Sequence, residues 1–232
     1  MIPFRDNIPA RSFPIITILI ILGNVVAFFY ELSLGRRLEP FIEQFGVVPA
    51  AAVAWPQSDL PFLAVALPFL TSMFLHAGWL HLIGNMWYLW IFGDNVEDRL
   101  GHVTFLIFYL LCGLGAGIIH TILNSHTEIP SIGASGAIAG VLGAYLVSYP
   151  FARVLTLVPI FFFVQILEIP ALIVLGLWFV MQFFSGTAAL ASSNVNAGGV
   201  AWWAHVGGFL MGVLLIGLFP RKDRPRYDYS QA

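Results

Sequence analysis

The chain has 232 residues, of which 59% are hydrophobic and only 9% carry a charge. Because soluble domains contain about 25% charged residues, this composition excludes an ordinary soluble protein and indicates an integral membrane protein. The formal net charge is -2, and no basic patch precedes the C-terminal tail, which excludes a nucleic-acid-binding protein. The length suits a single compact bundle of helices.

Six apolar segments predict an all-α membrane protein. They cover roughly residues 13–34, 79–97, 103–123, 135–149, 169–190 and 200–219. We expect residues 1–12 to form a short cytoplasmic segment, 13–219 the helical domain and 220–232 a solvated, disordered tail. The single cysteine, Cys112, falls inside the third segment and is predicted to be a small buried residue.

The basic residues predict the orientation of the chain. An even number of spans places both termini on one side of the membrane, together with most of the basic residues. That side holds Arg5, Arg11, Arg99, Arg153, Arg221, Lys222, Arg224 and Arg226, whereas only Arg36 and Arg37 fall opposite. This bias predicts a multi-pass protein of the cell (inner) membrane with both termini in the cytoplasm.

Two connections between the spans are unusual. Residues 35–75 form a long first loop whose apolar runs suit the membrane interface, and Pro61 and Pro68 argue against a seventh span there. Residues 191–200 are small and polar, which predicts a flexible loop before the sixth helix.

The fourth segment is too short to cross a bilayer. From Ser135 to Tyr149 it provides about 22 Å of helix, against a hydrocarbon core of about 30 Å. If its far end reaches the boundary at Pro150, Ser135 begins a helix below the outer surface. A polar group at that depth requires a water-filled depression.

Small residues predict that the fourth and sixth helices touch. Stripes of small residues allow helix backbones to approach closely in lipid. One stripe comprises Gly136, Ala139, Gly140 and Gly143, and the other Ala201, His205, Gly208 and Gly212. Contact between them would bring the Ser135 hydroxyl to the His205 ring as a nucleophile–base pair. Alternatively, the glycines serve packing alone and Ser135 only caps a helix.

A third group of polar residues lies in the second segment. His81 and Asn85 share a helix face, and His76 precedes the helix. Asn85, His81 and the Ser135 N–H are suitable donors for an oxyanion. Two alternatives to an oxyanion site remain. One is a metal site formed by His76, His81 and His205, and the other is a helix face whose hydrogen bonds are purely structural. No carboxylate inside the helices is placed to orient His205, which favours a dyad over a triad.

Together these segments resemble the rhomboid family of intramembrane serine proteases, in its six-helix prokaryotic form, from the first helix to Gly212. The blocks that carry the resemblance are His76 to Asn85, Phe92 to Gly101, Gly133 to Gly136, and Ala204 to Gly212. The resemblance implies that Ser135 is the nucleophile and His205 the general base. It implies that Asn85 and His81 form the oxyanion hole. His76 matches a further histidine next to the site, and Gly133 matches the glycine that precedes the nucleophile.

The resemblance also implies roles for whole segments. Loop 191–200 matches a mobile cap over the site, and the fifth helix, with Trp178, matches an element that admits substrate laterally. One departure concerns Ala139, where many relatives place an aromatic residue stacked on the catalytic histidine. We therefore expect another group, Trp202 or Trp203, to brace His205.

The expected activity is cleavage of transmembrane segments of other membrane proteins through a Ser135–His205 dyad. The implied partners are single-span or other membrane-protein substrates and the lipid bilayer, and no metal or organic cofactor is implied. One alternative is a catalytically silent rhomboid-like protein that binds membrane clients. The other is a transporter, which would need polar residues along a path through several spans.

Overall fold

The computed structural model describes residues 1–160, 163–191 and 200–219, which hold nine α-helices and three β-strands. The helices are α1 Ile15–Ser33, α2 Leu38–Phe45, α3 Pro49–Ala54, α4 Phe62–Thr71, α5 Trp79–Leu100, α6 His102–Leu123, α7 Ser135–Ser148, α8 Ala171–Ala191 and α9 Trp202–Leu215. The strands are β1 Ile2–Asp6, β2 Arg153–Ile160 and β3 Phe163–Pro170.

Each of the six apolar segments contains a helix at its predicted place. Among the described residues, α1, α6 and α8 are long and apolar enough to cross a membrane. Helices α4 and α5 pass the same test together but bend by 80° at the break between them, while α7 and α9 are shorter apolar helices. The chain is therefore a helical membrane protein, and the crossing of the membrane by all six helices stays a prediction.

The all-α expectation was wrong for residues 2–6, 153–160 and 163–170. These segments form an antiparallel sheet in the order β1-β2-β3, with Ile2 opposite Leu157 and Val154 opposite Ile169. The hairpin segment is rich in β-branched and aromatic residues, which favour extended backbone. Glu168, which directly precedes the fifth apolar segment, lies in β3 and pairs with Arg153 at 3.7 Å.

The first loop is helical rather than irregular. It contains α2, α3 and α4, with short 3-10 turns at Gly35–Arg37, Trp55–Gln57 and Ser72–Phe74. Val47 and Ser131 exchange backbone hydrogen bonds of 3.0 and 2.7 Å, so the loop supports the segment that leads into α7. The placement of this loop at the membrane interface stays a prediction.

The predicted contact between the two stripes of small residues is confirmed. A Cβ atom added at Gly208 would overlap the carbonyl oxygen of Gly136, and one at Gly212 that of Gly140. Only hydrogen side chains allow this approach, so α7 and α9 meet backbone to backbone. Cys112 is fully buried against Gly140 and has the predicted role of a small packing residue.

Candidate active site

Ser135 is the first residue of α7, where the chain turns sharply into the helix. The first N–H groups of a helix have no partner within the helix, so they are available to a group bound at its N-terminal end. Gly133, two residues earlier, has a φ of +129°, which side-chain-bearing residues rarely adopt. The Gly133 N–H donates to the Ser72 carbonyl at 2.8 Å and ties this turn to the end of the first loop.

His205 lies on α9 and is buried, with 9% of its surface exposed. Its Nδ1 atom is 2.7 Å from Oε1 of Gln182 on α8. When Nδ1–H donates this bond, Nε2 is the ring nitrogen that keeps a free lone pair. Gln182 was missed in the sequence analysis, although an amide within an otherwise apolar segment was the signal that identifies it.

Aromatic rings enclose the His205 imidazole. The ring of Trp178 lies 5.8 Å away at an angle of 35°, and that of Trp202 lies 6.3 Å away, almost perpendicular. The expectation that Trp202 contacts His205 is confirmed, whereas Trp203 instead contacts Phe183, with 5.8 Å between their ring centres. Trp178 is thus the aromatic ring that packs nearest to His205, and the small Ala139 lines the same cleft.

Ser135 and His205 line one cleft of about 220 Å³, together with His81 and Asn85. The other residues of its wall come from α5, α7 and α8 and are mostly apolar: Leu80, Gly84, Tyr88, Ile138, Ala139, Leu142 and Trp178. A small apolar cleft that contains a hydroxyl, an imidazole and an amide has the composition of an acyl-transfer site.

One of the donors predicted for an oxyanion, His81, lies beside Gly133. His81 Nδ1 accepts the Ala77 N–H at 3.3 Å, which leaves the proton of the neutral ring on Nε2. A Cβ atom added to Gly133 would lie only 2.8 Å from that Nε2 and 3.6 Å from the Ser135 hydroxyl oxygen. Glycine therefore keeps open a space that adjoins both groups.

His76 is a hydrogen-bonding neighbour of this group. Its Nε2 is 3.0 Å from the amide nitrogen of Asn85, and its ring lies 5.0 Å from that of His81. The backbone N–H of His76 faces both carboxylate oxygens of Glu31, a buried residue of α1, at 3.2 Å. Glu31 was missed as a contributor because it lies near the end of the first apolar segment, 45 residues before His76. Within the described part of the chain, the three histidines do not form a metal-binding cluster.

The segment predicted to cap the site falls largely beyond the described residues. Positions 192–199 of loop 191–200 belong to that part, as does the tail 220–232. The described end of α8 near the site exposes Phe184, whereas Gln182 is buried.

Comparison with known proteins decides the family. A family model described as the rhomboid domain matches residues 65–222, which is more than half of the chain. The chain belongs to the rhomboid family. It is 31% identical over 163 residues to a chloroplastic rhomboid-like protein 11 of Arabidopsis thaliana, covering 69% of this chain and 55% of that protein.

Two mitochondrial proteins are similar as well. Identity is 32% over 174 residues with presenilin-associated rhomboid-like protein A of Danio rerio, covering 68% of this chain and 40% of that protein. Identity is 30% over 164 residues with rhomboid protein 1 of Saccharomyces cerevisiae, covering 66% of this chain and 42% of that protein. This rhomboid chain thus spans about half the length of the curated relatives it matches, or somewhat less.

The matched range contains every residue that the sequence predicted for the site. His76, His81, Asn85, Gly133, Ser135 and His205 all fall within residues 65–222 of the rhomboid chain. Glu31 and β1 precede that range, so the rhomboid domain here receives contacts from a region that the family model does not match.

Proposed function

We propose that this rhomboid-family protein is an intramembrane serine endopeptidase that cleaves transmembrane segments of other membrane proteins. One observation carries the proposal. Ser135 and His205 line the same cleft, while Gln182 holds the Nδ1 side of His205. A hydroxyl beside an imidazole whose other nitrogen is occupied is the arrangement of an activated nucleophile.

The proposed reaction uses the two ring nitrogens of His205 differently. Nδ1–H donates to Gln182, and Nε2 takes the proton from the Ser135 hydroxyl as its oxygen attacks the scissile carbonyl. The protonated imidazole then gives that proton to the leaving amine, and an acyl ester on Ser135 remains. A water molecule, deprotonated by Nε2, hydrolyses the ester and restores the serine.

The negative charge on the tetrahedral intermediate requires donors that are fixed beforehand. His81 Nε2–H adjoins the space that Gly133 keeps open, and the proposed second donor is the Ser135 N–H at the start of α7. Asn85 provides an amide N–H₂ on the same wall of the cleft, and His76 fixes its orientation. Donors that are fixed before the reaction stabilise the oxyanion at little reorganisation cost.

The proposed setting is a cell membrane that residues 13–219 cross six times, with both termini in the cytoplasm. The positive-inside bias of the sequence supports this orientation. The names of the relatives place them in mitochondria and chloroplasts, so the family occurs in membranes of several kinds. The proposed partners are single-span or other membrane-protein substrates, and the chemistry uses neither a metal nor an organic cofactor. A catalytically silent client-binding protein explains the composition of the cleft less well.

Co-expression with a panel of tagged single-span membrane proteins tests the activity. We expect a shortened fragment of at least one substrate with the wild type, and none with Ser135→Ala or His205→Ala at equal expression. A fragment of unchanged abundance with Ser135→Ala would show that another protease cuts the substrate.

A further inference from the structure

The sheet exposes apolar side chains in a way that packing within the protein does not explain. In β3, Phe163 is 73% exposed, Val164 64% and Ile166 59%. Successive side chains of a strand point to opposite faces, so β3 is apolar and exposed on both faces. Among the described residues, β3 pairs with β2 alone. In water, such a strand would be an aggregation site.

Charged residues are confined to the base of the hairpin. Arg153 and Glu168 form an ion pair there, and no charged residue lies between them in the sequence. One face of β2 packs against the helices, since its side chains Val154 and Thr156 are fully buried. The hairpin thus has a polar base, a flank against the bundle and a free apolar edge.

Contacts of β1 show where the sheet lies along the bundle. Trp87 Nε1 donates to the Pro3 carbonyl at 2.6 Å, and Asn95 donates to Asp6 at 3.1 Å. These contacts lie eight residues apart on α5, which is about 12 Å of helix. The sheet therefore runs beside the half of α5 that leads to its polar end at Asp98.

The same stretch of α5 has the features of a membrane boundary. Trp87 and Trp90 are 41% and 57% exposed, and the acidic residues Asp94 and Asp98 follow them toward the helix end. Exposed tryptophans followed by charged residues are typical of the level of the lipid headgroups. On the other side of the hairpin, β3 runs directly into α8, whose first turn includes the half-exposed apolar residues Leu172 and Ile173. The exposed face of the sheet is thus continuous with a membrane-spanning surface.

We propose that the three-stranded sheet is a membrane-binding element, and that the exposed side chains of β3 contact lipid acyl chains in the leaflet on the N-terminal side. At the boundary between headgroups and acyl chains, apolar side chains lose contact with water. The free backbone edge of β3 still finds water and headgroups there as hydrogen-bonding partners, which the centre of a bilayer would not offer.

Reactivity of single thiols tests this proposal in the full chain. In a Cys112→Ala background, single cysteines replace Phe163, Arg153 or Leu22, and each variant is reconstituted into nanodiscs and treated with a charged maleimide. Arg153 at the hairpin base is the matched water-exposed control, and the exposed Leu22 of α1 is the lipid-facing control. Only variants that elute as a single symmetrical peak are compared.

The Phe163→Cys thiol is expected to react at least about tenfold more slowly than the Arg153→Cys thiol, and at a rate close to that of Leu22→Cys, because a thiol in lipid does not form the reactive thiolate. Equal rates at positions 163 and 153 would overturn the proposal. Rapid disulfide formation between two copies of Phe163→Cys would also overturn it, since a second copy of the chain would then cover the surface.

Discussion

His205 depends on a neutral amide for its orientation. Gln182 Oε1 accepts the Nδ1 proton at 2.7 Å, and Trp178 and Trp202 restrict the rotation of the ring. An amide acceptor selects the tautomer with a basic Nε2 without adding a negative charge to a buried site, where an unpaired charge is costly. In this account Gln182 is a positioning residue for the base.

Replacing Gln182 with leucine removes the acceptor and leaves the buried Nδ1–H of His205 without a partner. Because an unsatisfied buried donor costs about 1–3 kcal/mol, we expect kcat to fall by about 10- to 100-fold with a smaller change in KM. Steady-state cleavage of a reporter substrate in liposomes measures both constants. Gln182→Glu restores an acceptor and is expected to retain more activity than Gln182→Leu. Equal activity of the leucine variant and the wild type would contradict the positioning role.

Gly133 offers a second test at the residue scale. Alanine there would strain a φ of +129° and place a methyl group 2.7 Å from His81 Cε1, in the proposed oxyanion space. We expect Gly133→Ala to lower kcat by about 100-fold, the effect of losing an oxyanion donor. Gly176→Ala on α8 is the matched control, since no atom lies within 4 Å of its added Cβ. If both variants keep wild-type kcat, the proposed oxyanion space is wrong.

Sequence reasoning identified site residues where polar groups stand out against apolar surroundings. Ser135, His205, His81 and Asn85 were predicted in this way, and they line one cleft. Gln182 and Glu31 escaped because each lies far from its partner in the sequence, at a separation of 23 and 45 residues. Such pairings depend on how helices rotate against one another, which a pattern within one segment does not determine.

At the scale of elements, the contact between α7 and α9 brings Ser135 and His205, the proposed nucleophile and base, into one cleft. Gly136 and Gly140 on α7 meet Gly208 and Gly212 on α9, with backbone atoms in direct contact. Because lipid provides no hydrophobic driving force between helices, close packing of this kind is a main source of their association. A small separation of the two helices would move His205 away from Ser135 without changing either residue.

A side chain at Gly212 is expected to force that separation. The Cβ of Gly212→Val would meet the backbone of Gly140, which cannot move aside as a flexible side chain can. We expect the free energy of unfolding to fall by about 2 kcal/mol or more, measured by thermal unfolding in a mild detergent, with loss of substrate cleavage. In the control Gly217→Ala, the nearest atom to the added Cβ is 3.7 Å away, and stability should be close to wild type. Unchanged stability of Gly212→Val would refute the role of this contact.

The six helices were predictable because long apolar segments bounded by polar residues and prolines define them. The sheet was not, because a short apolar run without clear periodicity fits a buried helix as well as a strand. In addition, β1 pairs with β2 across about 150 residues of chain, and no local signal reports such a partner. Interpretation of residues 150–168 as a connection between the fourth and fifth apolar segments followed from both facts.

At the scale of the whole molecule, the N-terminal segment joins the sheet to the bundle through Asp6. This carboxyl group accepts hydrogen bonds from the Tyr145 hydroxyl on α7 and from Asn95 on α5. Burial raises the pKa of Asp6 from 3.8 to about 6, because removal from water disfavours the charged form more than these bonds favour it. Asp6 therefore couples the attachment of the N-terminus to pH.

The sign of this coupling follows from the raised pKa. The protonated form of Asp6 favours the folded state. Its contribution to the free energy of unfolding is therefore complete below about pH 4 and is lost as the pH rises through about 6. We expect the wild type to lose up to about 3 kcal/mol of stability between about pH 4 and pH 7.5 through this group. Thermal unfolding measured over this pH range should show a smaller decline in stability for Asp6→Asn than for the wild type. An identical decline in both proteins would show that Asp6 does not titrate as described.

The most direct measurement of the central claim is the covalent labelling of the protein, reconstituted in liposomes, with a fluorophosphonate probe and the mapping of the adduct by mass spectrometry. Because a fluorophosphonate reacts with an activated serine, we expect a single adduct on Ser135, absent in Ser135→Ala and reduced by about 100-fold or more in His205→Ala. An unlabelled wild type, or an adduct on another residue that survives in Ser135→Ala, would contradict the assignment of Ser135 and His205 as nucleophile and base.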